Sequence, residues 1–387
     1  MSSLNYWIWL SSLSGLCAKT AGRLLGKFDS PENIYNTPDT DLLYAVSSGF
    51  RGKIIPDRRN LEDTDKILKT CKEKHFRIIT IHDKEYPERL KNIYDPPLVL
   101  YLNGKLPVID DEPVVSIVGT RKCTPYGAKA AENIAYKLSQ RGIIIVTGLA
   151  KGIDTAASYG ALRGGTSTLG VIGSGLDVIY PYENRKLFNE ISYRGAVISE
   201  YPPGTKPLTH NFPARNRILS GLSLGVLVIE APKKSGALIT AERALEQGRD
   251  VFSLPGNVDA VMCEGSNLLI RNGAIPVLSA EDIIEEYEEL YPGKITDGVS
   301  EFENVKTIDN MSNMQYIDLN KLLNTLYGDE KLVAKAIGIS NIHVDDIITK
   351  TKLPAHQVLT ALTMLEINGS VVSDGSKFFK LSSLNCH

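Results

Sequence analysis

Between residues 113 and 280, short apolar runs alternate with longer stretches patterned at helical spacing. Val114-Val115-Ser116-Ile117-Val118 reads as a strand, and Pro125 to Arg141 as a helix. Further strands are expected at Ile143–Val146, Thr168–Ile172, Ala196–Ser199, Val226–Ile229 and Asp250–Ser253. Continuously apolar strands interleaved with helices predict a parallel sheet covered on both faces. Such a sheet binds its ligands beyond the carboxyl ends of its strands.

The flanks are patterned differently. Residues 1–105 read as a helical, lysine-dotted N-terminal domain, with helix-start signals at Ser30-Pro31-Glu32 and Thr37-Pro38-Asp39. Leu13 to Ala21, followed by Leu24-Leu25, suits either half of a helix-hairpin-helix or a simple helical turn. Residues 106–290 form the Rossmann-like domain, 291–315 a linker broken by Pro292-Gly293 and Asp297-Gly298, and 316–387 a small tail domain. In the tail, a helix starts at Val344, and a second runs from Pro354 to Asn368 with Val358, Leu359, Leu362 and Leu365 on one face. A hairpin turning at Asp374-Gly375-Ser376 follows, which completes a winged-helix outline. The second helix has no Lys or Arg, so either a protein-contact module or a weak DNA contact fits.

The net charge of −2 argues against nucleic acid until its distribution is read. Residues 281–315 hold ten acids against two bases, which leaves the remainder of the chain at +6. Five scattered cysteines without a CxxC pair indicate neither a disulfide frame nor a zinc site, and they fit a reducing, cytoplasmic setting. The apolar start Tyr6 to Leu10 is too short and too quickly followed by serines for a signal peptide, so a buried helix is expected. No apolar run approaches the roughly 18 residues of a membrane span.

The chemistry gathers in the loops after the strands: Gly119-Thr120-Arg121-Lys122, Gly148 to Asp154 with Lys151, Gly173-Ser174-Gly175-Leu176-Asp177, Asn211 to Arg217, and Ser235-Gly236 to Thr240. Glycine lets backbone N–H groups approach an anion, and a helix start adds partial positive charge. Five such loops on one sheet edge predict an anion-binding rim. In the fourth loop, Phe212 offers a face for a base, and Arg215 and Arg217 offer forked donors for phosphate. Catalytic groupings are weaker. There is no GxxxxGK[ST] loop, and Gly173-Ser174-Gly175 lacks the third glycine of a dinucleotide loop. His210 suits a base, a structural role or a phosphate contact, Asp154 an N-cap, and Cys123 either a thiol activated by Arg121 and Lys122 or a small residue at a helix start. No cofactor and no metal are expected.

The order of these motifs resembles the DNA-processing protein A family, also called DprA or Smf. The resemblance rests on Ile117 to Arg121, Thr147 to Ala157, Gly173 to Asp177 with Tyr180-Pro181, Ile198 to Pro202, Phe212 to Ile218, Ser235 to Thr240, and Gly248 to Phe252 with Leu254-Pro255-Gly256. It is dense over residues 110–280. It implies an extended Rossmann-like domain that binds single-stranded DNA without catalysis, acts as a homodimer, protects incoming strands in natural transformation and loads the RecA recombinase. It further implies phosphate contacts at Arg121 and Lys151, backbone donors at Gly173, Ser174 and Gly175, base or sugar packing at Phe212, and grip or bracing by Arg215 and Arg217. Asn216 would fix the loop. Two departures stand out: Ser158 where the family often has His, and Tyr182 where it often has Lys, with Arg185 and Lys186 close enough to compensate. Leu254 to Ile270 is a candidate dimer element. Two other readings are a phosphoribohydrolase-like enzyme using Ser235-Gly236 to Thr240 with Glu242, and a protein adaptor with a vestigial rim.

Overall fold

The computed structural model describes residues 3–13, 16–46, 60–296, 326, 328–337, 342–368, 370–373 and 378–381. The glycine turn at Ser14-Gly15, most of the expected linker and the Asp374-Gly375-Ser376 turn lie outside them. The chain divides into two compact units, residues 1–301 and 302–387.

The first unit opens with α1 (Ser3–Ser12), whose residues Asn5 to Leu10 are buried as the apolar start requires. Then come α2 (Ala18–Phe28), α3 (Pro31–Asn36), α4 (Asp39–Val46) and α5 (Glu62–Glu73). The Ser30 hydroxyl caps α3 by accepting from Asn33 N at 3.1 Å, with Pro31 at the first helical position. Tyr6, Trp9, Leu10, Leu24 and Ile34 pack into one cluster.

The N-terminal region is not purely helical. Arg77–Thr80 (β1) and Val99–Gly104 (β2) are strands, separated by the short α6 (Glu88–Lys91). β1 pairs antiparallel with β2, and β2 pairs antiparallel with a strand of the central sheet. The boundary expected at residue 105 therefore cuts through a continuous sheet. Leu100, Tyr101 and Leu102 are fully buried there, which the bare helical reading of this region missed.

The central strands are β3 (Val114–Val118), β4 (Ile144–Thr147), β5 (Thr168–Ile172), β6 (Ala196–Ser199), β7 (Gly225–Val228), β8 (Asp250–Ser253) and β9 (Ile275–Pro276). They alternate with α7 (Pro125–Gln140), α8 (Ile153–Gly164), α9 (Arg185–Arg194), α10 (Asn211–Leu222), α11 (Gly236–Glu246), α12 (Glu264–Arg271) and α13 (Glu281–Tyr287). The nine strands of the sheet are ordered β1-β2-β6-β5-β4-β3-β7-β8-β9, and β6 to β9 run parallel as expected. The chain winds outward from β3 to β6 on one side and from β7 to β9 on the other. The order reverses between β3 and β7, and a sheet of this kind opens its ligand crevice at that point.

Alternation along β3 supplies both faces. Val114 and Val118 pack with Ile218, Leu219 and Leu222 of α10 and with Ala237, Ala241 and Ala244 of α11. Val115 and Ile117 pack with Ala131, Ile134 and Leu138 of α7 and with Ile153, Ala157 and Ala161 of α8. Period-two burial on both faces is why these strands read as continuous apolar runs.

The second unit contains α14 (Gly328–Ile337), β10 (Ile342–His343), α15 (Val344–Thr351), α16 (Ala355–Ile367), β11 (Val371–Ser373) and β12 (Phe378–Leu381). Its sheet is ordered β10-β12-β11. Val358, Leu362 and Leu365 enter the core as expected, together with Ala361. Leu359 does not. It is half exposed, because α16 turns its Val358–Leu362–Leu365 stripe inward and carries the adjacent residue out.

Candidate nucleic-acid interface

The loop after β3 is pinned at both ends and open in the middle. Thr120 N donates to the Glu230 carbonyl at 2.7 Å. Thr124 donates through its backbone N and its hydroxyl to the Glu230 carboxylate, at 2.8 and 2.5 Å, while its hydroxyl caps α7 by accepting from Gly127 N. Glu230 itself is buried. Between these anchors, Arg121 and Lys122 are exposed. The Arg121 guanidinium lies over the Phe212 ring, 4.9 Å from its centroid. Phe212, at the start of α10, is half-buried rather than free: its ring rests on Gly173, where a Cβ would come within 3.2 Å of it. Tyr180 flanks it, with ring centroids 5.8 Å apart.

Arg215 lies beneath this surface, only 4% exposed. Its Nη1 donates to the Gly148 carbonyl at 2.9 Å and to the Val171 carbonyl, and its Nε to Asn216 Oδ1 at 3.3 Å. Gly148 is sandwiched between this guanidinium and Asp154, and a Cβ there would meet both at 2.6 Å. Of the two roles expected for Arg215, grip or bracing, these bonds supply bracing, from the base of the cleft that Arg215 also lines. Helix phase explains the difference: Arg215, Ile218, Leu219 and Leu222 share the buried face of α10.

Asp154 is not the N-cap of α8, a position held by Gly152 at φ 80°. Instead its Oδ2 accepts from Gly148 N at 3.0 Å and Ala150 N at 3.4 Å, closing the second loop. Burial pushes its carboxyl from the ordinary 3.8 up to about 6, against the opposing pull of the Arg215 charge and the two N–H groups. A carboxyl raised on folding contributes stability below its unfolded value, and that contribution is lost as pH rises through the folded value. Urea unfolding of wild type relative to Asp154→Asn is therefore expected to lose on the order of 2–3 kcal/mol between pH about 4 and about 7. A flat difference would remove this burial-dominated picture of Asp154.

Arg217 is also engaged. It forks onto the Glu200 carboxylate at 2.9 and 2.5 Å, and its Nε donates to the Asp95 carbonyl at 2.8 Å. It ties α10 to β6 and to the N-terminal segment, so its guanidinium braces the rim rather than facing an open site. Asn216 Nδ2 donates to the Gly236 carbonyl at 3.2 Å, which fixes α10 to the start of α11. There Ser235 caps α11 through Ala237 N, and Gly236 faces open space.

The third loop turns inward. The Gly173 carbonyl accepts from Asn211 Nδ2, the Ser174 hydroxyl donates to the Val178 carbonyl, and Gly175 N donates to the Thr205 carbonyl. Gly173, Ser174 and Gly175 are buried, and the Gly175 donor expected to meet an anion is already engaged. This loop is the floor under Phe212. Lys151 is exposed, but its ammonium is 2.6 Å from Glu183 Oε1. Ser158 packs in the core, bonded to Thr147 Oγ1 and the Asp154 carbonyl. The Cys123 thiol is pushed up by burial and by Glu230, the reverse of activation by its cationic neighbours.

A cleft of about 570 Å³ joins the first, second, fourth and fifth loops. The expected residues Thr120, Arg121, Lys122, Phe212, Arg215, Asn216, Ser235 and Gly236 line it with Tyr180 of the third motif, as do Lys234, Pro207 and Thr209, which sequence reasoning did not single out. Lys234 had a readable signal, since it directly precedes the Ser235 cap. Pro207 and Thr209 had none, because they arrive from the β6–α10 segment only through folding. Among the described residues, Arg121, Lys122 and Lys234 have no carboxylate within salt-bridge distance. The cleft thus offers three unneutralised cations, an aromatic face and a helix start, a combination suited to a polyanion with planar groups. The carboxylates of Glu230 and Asp154 are both engaged in holding the first and second loops.

Fold and cleft together define a Rossmann-like α/β protein with a cation-lined switch-point crevice, followed by a small winged-helix-type domain. The DNA recombination-mediator protein A family matches residues 77–288, and the DprA winged helix domain matches 321–375. Protein Smf of Synechocystis sp. is 37% identical over 386 residues, covering 96% of each chain. The X-ray structure of DNA processing protein A from Streptococcus pneumoniae aligns with a TM-score of 0.63 at 40% identity, over 73% of this chain and 97% of that one. A structure of DNA processing protein A from Helicobacter pylori, described for its single-stranded DNA binding mode, aligns with a TM-score of 0.51 at 32% identity, over 56% and 99%. This chain belongs to the DNA recombination-mediator protein A (DprA/Smf) family.

Proposed function

We propose that this chain binds single-stranded DNA in the switch-point cleft, without catalysis, and delivers it to the RecA recombinase during natural transformation. The observation that carries the reading is the Arg121–Phe212 stack at a cleft whose other cations, Lys122 and Lys234, have no acidic partner among the described residues. A half-buried ring backed by Gly173 is a fixed platform, and only an unstacked base reaches such a face. The single-stranded DNA binding described for the Helicobacter pylori relative supports the same ligand. Arg121, Lys122 and Lys234 meet phosphates, Thr120 and Ser235-Gly236 shape the floor and far wall, and Lys151 joins when the strand displaces Glu183. Gly148, Arg215, Asn216 and Arg217 act as braces, and Gly173, Ser174 and Gly175 as the seat of Phe212.

Self-association fits the expected dimer element, since Val258 and Val261 are exposed within 254–270 while Leu254 is buried. The test is anisotropy of labelled single-stranded and duplex oligonucleotides at two salt concentrations. Salt-sensitive preference for the single strand is expected. Nucleotide turnover without strand binding would instead favour the phosphoribohydrolase-like alternative. RecA delivery is read by the rate of recombinase assembly on coated strands, with and without this protein, and sedimentation reads the dimer.

A further inference from the structure

The turn between β5 and α9 carries a second aromatic–cation pair that the cleft does not include. Tyr182 is 69% exposed. The Arg185 guanidinium lies 5.9 Å from the centre of its ring, and Arg185 Nη1 donates to the Tyr182 hydroxyl at 3.1 Å. The pair stands on a rigid base. Asn184, buried between them in sequence, donates through Nδ2 to the Leu149 carbonyl at 3.0 Å and to Thr155 Oγ1 at 2.9 Å, so the turn is clamped to the second loop of the rim. Leu187 and Phe188, one turn further along α9, are buried in the core. An exposed ring held this way loses little freedom when a base stacks on it.

The pair also continues the cleft. A small notch of about 40 Å³ is shared by Arg121, Phe212, Lys151, Tyr180 and Pro181, so the surface runs from the Phe212 platform past Tyr180 to the residue before Tyr182. Tyr180 is itself 48% exposed and neighbours the Phe212 ring. The acid facing this path is Glu183, which Lys151 neutralises. Lys186 is exposed beside Arg185 and has no carboxylate within salt-bridge distance among the described residues.

We propose that Tyr182 and Arg185 form a second stacking subsite, where a base of the strand leaving the cleft lies on Tyr182 and the adjoining phosphate meets Arg185. The subsite rests on the strand-binding reading of the cleft. It replaces the point charge expected at position 182 with a planar face.

The test uses the full chain and oligothymidylates of about 4 and about 16 nucleotides, the span over which strand-binding sites range. Tyr182→Ala is expected to weaken the long oligonucleotide about fivefold or more, the effect of one lost stack, and to leave the short one unchanged. Tyr182→Phe is expected to bind both like wild type. Arg185→Ala is expected to lower the salt slope by about 0.7 for the long strand alone. Wild-type affinity of Tyr182→Ala for the long strand, or an equal loss at both lengths, overturns the subsite. Failure of the wild type to bind either length overturns the cleft reading itself. Tyr182 is exposed, so thermal unfolding of the variant is expected to match wild type.

Discussion

Arg215→Ala is expected to destabilise the protein by about 3–5 kcal/mol, the usual penalty for stripping the partner from a buried charge. The guanidinium has almost no contact with solvent and supplies the donors for the Gly148 and Val171 carbonyls. Its loss removes those donors and leaves Asp154 buried without the charge that draws its carboxyl down. Against a typical total of about 5–15 kcal/mol, a change of that size removes a large share of the stability. Arg215→Lys keeps the charge but not the fork that spans two carbonyls, so an intermediate loss is expected. Urea unfolding of the two variants, with far-UV circular dichroism as readout, measures both. A variant as stable as wild type but defective in strand binding would return Arg215 to the rim as a phosphate ligand. Combining Arg215→Ala with Asp154→Asn is expected to recover part of the loss, since the uncompensated carboxylate is then gone.

The opposite pattern is expected for the surface pair. Arg121→Ala should leave unfolding within about 0.5 kcal/mol of wild type, because the side chain is exposed and touches mainly the Phe212 ring. It should lower affinity for single strands and reduce the slope of log affinity on log salt by about 0.7, the release of one counterion. Phe212→Ala should weaken binding by about 1–3 kcal/mol, roughly 5- to 150-fold, with little dependence on base identity. The two residues are stacked on each other, so the double variant should lose less than the sum of the single losses. Anisotropy titrations at several salt concentrations separate these effects. A flat salt response in wild type, or duplex bound as tightly as single strand, would count against the cleft.

These two predictions set apart arginines that a motif treats alike. Arg121 and Arg215 both sit in glycine-bounded loops or helix starts at the sheet edge and both line the cleft, yet one is exposed at its surface and the other is buried at its base. The helical phase of Arg215 with Ile218, Leu219 and Leu222 was present in the chain as a signal of burial. The charge of the residue masked it, since buried arginines are rare unless their donors are satisfied. The acceptors that satisfy it, Gly148 and Val171, come from loops and strands 67 and 44 residues away.

Local pattern alone located β3 to β8 of the parallel sheet, the helix after β3 and the helical stretches between the others, the Ser30-Pro31 helix start and the glycine-rich ends that converge at the switch point. Each follows from short-range rules: side-chain period, capping, and the conformational freedom of glycine. Tertiary structure alone decided what those loops do. It paired β2 with β6, so that residues 77–104 joined a sheet rather than a helical domain. It turned Gly175 N toward Thr205, engaged Arg217 with Glu200 and Asp95, and left Arg121, Lys122 and Lys234 at the cleft without a carboxylate partner among the described residues. A donor's residue type and its neighbours in sequence state what it is able to bind. Which acceptor lies within about 3 Å of it depends on segments that only the folded chain brings together.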